Sequence, residues 1–173
     1  WTDPRALTQF GVREATEPWT WAGPQTVVEG RSWGGCLEVI DQIAMADRMP
    51  AVGDLEGAIL LFETSEVLPV ADDVKRWVRA LGERGMLEAA AGVLVARPPV
   101  SQLGAPVPAP GERSRLRAEQ SEVIIEQVSA YNPDAVICVG VPFGHTRPQW
   151  ILPHGGLIRL DGITKTVTAD YGI

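Results

Sequence analysis

The sequence predicts an α/β domain in which a parallel-rich mixed sheet is covered by helices and finished by an antiparallel hairpin. Continuous apolar runs too short for helices recur at 57–63, 91–96 and 134–139, as in strands buried on both faces. Amphipathic helical segments separate these runs, and strands that alternate with helices favour parallel pairing. Two short β-type segments follow, at 156–160 and 163–167, and an Asp-Gly turn is predicted between them.

The length of the chain predicts one domain. A chain of 173 residues is long enough for one full core, so we expect residues 1–173 to fold together. The chain opens at Trp1 without an initiator methionine, and its first residues read as the middle of a longer sequence. We therefore expect a piece of a larger protein, with residues 1–25 as a lead-in loop or linker.

The composition argues against several classes of partner. The net charge is −7, from 15 basic and 22 acidic residues, and no basic stripe is visible, which argues against a nucleic-acid partner. No apolar run is long enough for a membrane span and no signal-peptide pattern opens the chain, so a cytoplasmic location is the default. Cys36 and Cys138 are expected to be reduced core residues, because two cysteines alone make neither a metal site nor a disulfide framework. No cofactor is predicted.

Two tryptophans lie in the proline-rich and glycine-rich first segment, which predicts a loop or an edge strand. Trp19 and Trp21 are two residues apart, so in an extended segment they point the same way and could stack on a planar ligand. Packing over the edge of the core is the alternative, and it is the more common role of aromatic side chains.

A strand, a glycine turn and a helix are predicted next, at 26–33, at Gly34 and Gly35, and at 36–44. Glycines that enter a helix leave free N–H groups, which can face an anion or a substrate carboxylate. Gly35 is therefore a candidate substrate-binding residue. A turn that merely needs glycine is the alternative.

Charged side chains follow two of the predicted central strands. Glu63 ends the run 57–63 and Arg97 follows the run 91–96. Ligands of such sheets bind beyond the carboxyl ends of the strands, so both side chains are site candidates. The intervening segments are a helix at 72–82, a proline-rich loop or flap at 98–111 and a long helix at 112–131.

His145 lies in a stiffened loop directly after the last buried strand, in the setting Val139-Gly140-Val141-Pro142-Phe143-Gly144-His145-Thr146. An imidazole can take and return a proton near neutral pH. A histidine that only packs or caps is the alternative, but the Gly-His-Thr setting after a buried strand favours a catalytic role.

Five segments, taken in order, carry a resemblance to a known family. They are Gly34-Gly35-Cys36-Leu37, Ile59-Leu60-Leu61-Phe62-Glu63-Thr64-Ser65-Glu66, Ala91-Gly92-Val93-Leu94-Val95-Ala96-Arg97-Pro98, Phe143-Gly144-His145-Thr146-Arg147-Pro148-Gln149 and Leu152-Pro153. Together they resemble the C-terminal domain of the serine LD-carboxypeptidase family, which includes the microcin C self-immunity peptidases. The tryptophan-bearing lead-in and the proline-rich insertion favour the immunity branch.

This resemblance implies a swivelling-type domain that supplies Glu63 and His145 to a Ser-Glu-His triad, with the serine on an N-terminal domain outside the chain. His145 would accept the serine proton, and Glu63 would fix the imidazole tautomer. We therefore expect Glu63 within hydrogen-bond reach of His145. No glycine-rich nucleophile turn precedes any serine of this chain. Many relatives have asparagine at the position of Cys36, which makes Cys36 a candidate substrate-binding residue; if that amide contacts substrate in them, the contact is lost or changed here.

Two functions from different classes remain at this point. The first is half of a serine carboxypeptidase-like hydrolase, which needs its own N-terminal domain, is inactive alone and uses no metal. Its substrate is a carboxylate-bearing peptide or a peptidyl or aminoacyl nucleotide, and a homodimer is compatible with it. The second is a non-catalytic ligand-binding or regulatory module on the same fold. Retention of both Glu63 and His145 argues against the second.

Overall fold

A computed structural model describes residues 8–9, 17–102, 106–146 and 148–172. The strands in these ranges are β1 Thr20–Ala22, β2 Val27–Cys36, β3 Ile59–Glu63, β4 Gly92–Ala96, β5 Val136–Val141, β6 Leu157–Asp161 and β7 Thr166–Ala169. The helices are α1 Leu37–Met45, α2 Ala71–Glu83, α3 Met86–Ala89 and α4 Pro110–Tyr131, with a 3₁₀ turn at Val52–Leu55. The sequence anticipated neither α3 nor the 3₁₀ turn.

The strands form one seven-stranded sheet in the order β1-β5-β4-β3-β2-β6-β7. Strands β2, β3, β4 and β5 pair in parallel. Antiparallel strands flank this parallel centre at both edges. Strand β1 pairs with β5 at one edge, and β6 and β7 lie beyond β2 at the other. The predicted fold class, a parallel-rich mixed sheet with helices and a C-terminal antiparallel pair, is confirmed.

The two faces of the sheet are covered differently. Residues of all four helices pack in one apolar cluster with alternate side chains of the central strands, among them Leu60 and Phe62. The other face packs Ile59 and Leu61 against the β6–β7 pair, with Trp19 and other aromatic residues at its margin. Because β3, β4 and β5 are apolar on both faces, they are almost wholly buried, as the continuous apolar runs predicted.

The lead-in prediction for residues 1–25 is wrong at Thr20–Ala22, which form an edge strand of the sheet. Thr20 pairs with Val139 and Ala22 with Ile137. An uncovered β5 would leave a row of backbone N–H and C=O groups unpaired, and β1 satisfies them. The edge alternative is therefore the correct one for this stretch. The rest of the lead-in lies partly outside the described residues.

The predicted turn at Gly34 and Gly35 is also wrong. Strand β2 continues through both glycines to Cys36, and α1 begins at the next residue. Gly34 has φ +142°, and a Cβ there would collide with the backbone of Leu61 on the neighbouring strand. Gly34 therefore serves a close approach between parallel strands, and the glycine pair does not reverse the chain.

The hairpin is present, but its connection is not the predicted two-residue Asp-Gly turn. Asp161 pairs with Thr166, so four residues separate the two strands. The Asp161 carboxylate accepts the backbone N–H groups of Ile163 at 3.0 Å and Thr164 at 2.8 Å. This side-chain capping stabilises the longer loop.

Helix α4 begins at Pro110, two residues before the predicted start, because proline suits the first turn of a helix. No helix in the described part of the chain combines the length and apolar character that a bilayer crossing requires.

Candidate active site

The carboxyl ends of the parallel strands bring together side chains that lie far apart in the chain. Cys36 ends β2, Glu63 ends β3, and the two are register partners. His145 lies in the loop that follows β5. Glu63 continues the alternation of Ile59 and Leu61, so it points to the sheet face that the helices do not cover.

Glu63 and His145 form a hydrogen-bonded pair. His145 Nδ1 lies 2.9 Å from Glu63 Oε2, and the backbone N–H of His145 donates to the same oxygen at 2.7 Å. The distance lies in the range expected for a general base and its orienting carboxylate. Because a carboxylate only accepts, Nδ1 carries the proton and Nε2 keeps its lone pair in the neutral ring.

Gly144 is the residue that lets this loop close on Glu63. It has φ +69°, and a Cβ at this position would overlap the Glu63 carboxylate. The Gln149 side-chain amide donates to the carbonyl of Gly144 and holds the turn from outside. The glycine before His145 is visible in the sequence, but its reason is visible only in the structure.

A second carboxylate faces the outer ring nitrogen of His145. Glu66 Oε2 lies 3.5 Å from Nε2, which is an ion-pair distance and long for a hydrogen bond. Burial by itself lowers the pKa of His145. The hydrogen bond and charge of Glu63, with the charges of Glu66 and Glu38, outweigh burial and raise the pKa above its ordinary value.

We expect Glu66→Gln to lower the pKa of His145, because it removes one of the negative charges that stabilise the imidazolium. The ring carbon protons of His145, followed by NMR in this chain, report the shift. The side chain of Glu66 is 59% exposed, so salt should shrink the difference between the variant and the wild type. An unchanged or higher pKa in the variant would contradict this electrostatic account.

The sign of the linked stability effect follows from the same pKa. Because the pKa of His145 is higher in the folded chain than in the unfolded chain, protonation of His145 stabilises the fold. This stabilisation is fully present at pH values below the unfolded pKa of histidine. That contribution is lost as the pH rises through the folded pKa of His145.

Cys36 belongs to a neighbouring network centred on Glu38. The Cys36 thiol donates to Glu38 Oε2 at 2.9 Å, and Glu38 Oε1 accepts both the backbone N–H and the hydroxyl of Ser65 at 2.9 Å. Burial, and then the hydrogen bond and charge of Glu38, raise the pKa of Cys36 to about 12. At neutral pH, Cys36 is therefore a protonated thiol and a poor nucleophile.

Buried polar contacts hold the loops around the pair. Arg97, 8% exposed, donates from Nε to Thr146 Oγ1 at 3.0 Å, next to His145. On the other side, Thr64 donates to Gln120 at 2.9 Å, and Gln120 donates to the carbonyl of Pro69 at 2.8 Å. Helix α4 thereby fixes the loop that carries Glu66. Substrate binding by Arg97 stays a prediction.

The predicted substrate contacts do not form one group. Gly35 leaves open space where a side chain would project. Trp19 and Trp21 are half-buried against the apolar cluster of the helix-free face. They also line a shallow depression of about 720 Å³ with Lys165, whose ammonium lies 5.4 Å from the ring centre of Trp21. Both alternatives for the tryptophans, packing and stacking on a ligand, are therefore compatible with their placement.

The depression lies near the carboxyl end of β5. The ring of Trp19 meets that of Trp150 edge to face at 5.4 Å, and Trp150 follows the His145 loop. Sequence reasoning assigned no role to Glu38, Glu66 or Thr146. Glu66 lies in one of the five segments that resemble the family, and Thr146 directly follows His145. The sequence did not indicate which side chains either residue contacts.

The family of the chain follows from a comparison with family models. The model described as the LD-carboxypeptidase C-terminal domain matches residues 29–160. The chain belongs to this family. The match contains the quoted segments through Leu152-Pro153, so the resemblance seen in the sequence is confirmed.

Solved structures with the fold of this LD-carboxypeptidase C-terminal domain include an MccF-like protein from Streptococcus pneumoniae in complex with AMP. Its TM-score is 0.74 at 24% identity, over 100% of this chain and 50% of that one. The microcin C7 self immunity protein MccF matches with TM-score 0.65 and 20% identity, over 87% and 40% of the two chains. An MccF-like protein from Bacillus anthracis matches with TM-score 0.67 and 18% identity, over 96% and 46%.

The LD-carboxypeptidase C-terminal domain described here thus spans about half the length of its solved relatives or less. At sequence identities of 18%, 20% and 24%, the similarity to these solved structures establishes the fold alone. No curated protein sequence matches the chain significantly.

Proposed function

We propose that this domain supplies the base and the orienting carboxylate of a Ser-Glu-His hydrolase whose serine lies on an N-terminal domain. The observation that carries the proposal is the hydrogen bond of 2.9 Å between His145 Nδ1 and Glu63 Oε2. Because the carboxylate accepts the hydrogen bond of Nδ1, Nε2 is left to exchange a proton with a nucleophile, as in catalytic triads.

The proposed reaction is cleavage of an amide bond. The serine hydroxyl transfers its proton to His145 Nε2 as its oxygen attacks the carbonyl carbon, and Nε2 then returns the proton to the leaving amine. Glu63 keeps the Nδ1 proton and stabilises the imidazolium formed between these steps. Glu66 lies 3.5 Å from Nε2, so the incoming serine must displace its carboxylate or share the space with it.

Exposed apolar residues on both loops beside the pair support an N-terminal domain as the partner. Val67, next to Glu66, is 63% exposed, and Ile151, in the loop after His145, is 82% exposed. Both lie on the loops that carry Glu66 and His145, so a domain that covers the site would bury them. We propose that this domain brings the serine and the oxyanion donors.

The proposed substrate is a carboxylate-bearing peptide or a peptidyl or aminoacyl nucleotide. The solved relatives favour the nucleotide-linked class, because the Streptococcus pneumoniae protein was solved with AMP and MccF with glutamyl sulfamoyl guanosine. The tryptophan-lined depression offers this chain a surface for a base.

If Trp19 or Trp21 stacks on a base, its replacement by alanine should raise KM for a nucleotide-linked substrate by roughly fivefold or more. Stacking of a base on an aromatic ring is worth about 1–3 kcal/mol. KM for a peptide without a base serves as the control and should stay constant. If KM is the same for both substrates in both variants while stability falls, the tryptophans only pack against the core.

The proposal requires that this chain alone hydrolyses nothing, because a base without its nucleophile and oxyanion donors activates water only weakly. We expect the two-domain protein to cleave an LD-peptide or an aminoacyl-nucleotide mimic, and this chain to leave both intact. Cleavage by the isolated chain that survives His145→Ala would refute the split triad. A two-domain protein that binds these compounds without cleaving them would instead support the non-catalytic module.

A further inference from the structure

Three different ligand atoms converge at the carboxyl ends of β2, β3 and β5. One donor atom from each of Cys36, Glu63 and His145 lies within 4.8 Å of the other two. Cys36 and Glu63 are register partners on adjacent strands, so the sheet fixes their separation. The backbone N–H of His145 donates to Glu63 at 2.7 Å, so the imidazole is held beside the carboxylate. Coordination through Nδ1 shifts the ring proton to Nε2, and the ion takes the place of that proton between the ring and Glu63.

The size of this cluster is close to that of a metal site. An ion at the centre of donors spaced by 4.8 Å would lie no more than about 2.8 Å from each, against about 2.0–2.3 Å in zinc sites. Rotation of the side chains by roughly half an ångström to an ångström would close the difference.

The donor set selects the kind of ion. A sulfur, an imidazole nitrogen and a carboxylate oxygen suit zinc and similar borderline-soft cations, whereas magnesium and calcium prefer oxygen alone. Negative charge also gathers here, since Glu38, Glu63 and Glu66 all act on His145. Such surroundings attract a cation.

We propose that Cys36, Glu63 and His145 form a binding site for a thiophilic divalent cation of the zinc class. Binding replaces the Cys36 thiol proton, which is released to solvent, by a sulfur–metal bond. Glu38 Oε2, 2.9 Å from the sulfur, loses the thiol as its hydrogen-bond donor, so its carboxylate, held by Ser65, turns to the ion and completes the coordination.

The sequence predicted no metal site, because spacing along the chain does not show that these three residues meet. The consequence for activity depends on the proposed function. A metal-bound imidazole cannot act as a free base, so the ion would hold the pair in an inactive state. The binding itself can be measured without any turnover.

The test is a titration of this chain, reduced and without a purification tag, with Co²⁺ as a spectroscopic substitute for zinc. We expect a thiolate-to-cobalt charge-transfer absorption that saturates at one equivalent and is removed by Zn²⁺. Cys36→Ser should abolish the absorption, and His145→Gln should weaken Co²⁺ binding by about tenfold or more through the loss of a ligand.

The chain contains a matched control for each of these residues. Cys138 is fully buried in the cluster of the helix-free face, and His154 is exposed on the loop before β6. Cys138→Ala and His154→Gln should retain the absorption. Circular dichroism of each variant checks that it is folded. An absorption that never forms, or that persists in Cys36→Ser, would overturn the proposal.

Discussion

Replacement of His145 by alanine in the two-domain protein is expected to lower kcat by about 10⁴-fold or more, as for the loss of a triad base. The reason is that Nε2 of this ring is the proposed route for the proton between the serine and the leaving group. The fold should survive, since the side chain of His145 is 40% exposed and lies in a loop. Steady-state hydrolysis of an LD-peptide or an aminoacyl-nucleotide mimic measures the effect.

His154→Ala is the matched control for this experiment. It removes the other histidine of the chain, which is exposed further along the same connection between β5 and β6. We expect wild-type kcat and an unchanged melting temperature from this control, and at most a small fall in the melting temperature of His145→Ala, which loses its ring contact with Glu63. If His145→Ala kept its activity within about tenfold, the assignment of the base would be wrong.

Glu63→Gln is expected to lower kcat by about 10³ to 10⁴-fold, the scale seen when a triad carboxylate becomes an amide. The change keeps the shape that packs against Gly144, but it removes the charge that stabilises the imidazolium. The amide can also donate to Nδ1, which would favour the tautomer with its proton on Nε2. That tautomer cannot accept the serine proton.

The pKa of His145 distinguishes this mechanism from a purely structural defect. Glu63→Gln should lower that pKa, because the hydrogen bond and charge of Glu63 are the leading causes that raise it. The pH dependence of kcat/KM should then show its acidic limb at lower pH than in the wild type. A large loss of activity with an unshifted pKa and a lower melting temperature would contradict the orienting role of Glu63.

The sequence alone determined the framework and pointed to the two central residues of the candidate site. Apolar runs with helices between them predicted the parallel centre of the sheet, because strands buried on both faces leave a strong pattern. Ordered motifs identified the family and pointed to Glu63 and His145. The turns were predicted less well. The glycine turn at 34–35 was wrong, because a glycine pair looks the same in a turn and in a close contact between strands. The two-residue Asp-Gly turn was also wrong.

Only the tertiary structure decided which polar groups meet. Cys36, Glu63 and His145 are neighbours because the carboxyl ends of parallel strands share one edge of the sheet, and this edge is assembled from three distant segments. The contacts of Glu66 with His145 and of Glu38 with Cys36 arise in the same way. Periodicity reports the face on which a side chain lies, but distances between segments depend on register and loop path, which the whole fold fixes together.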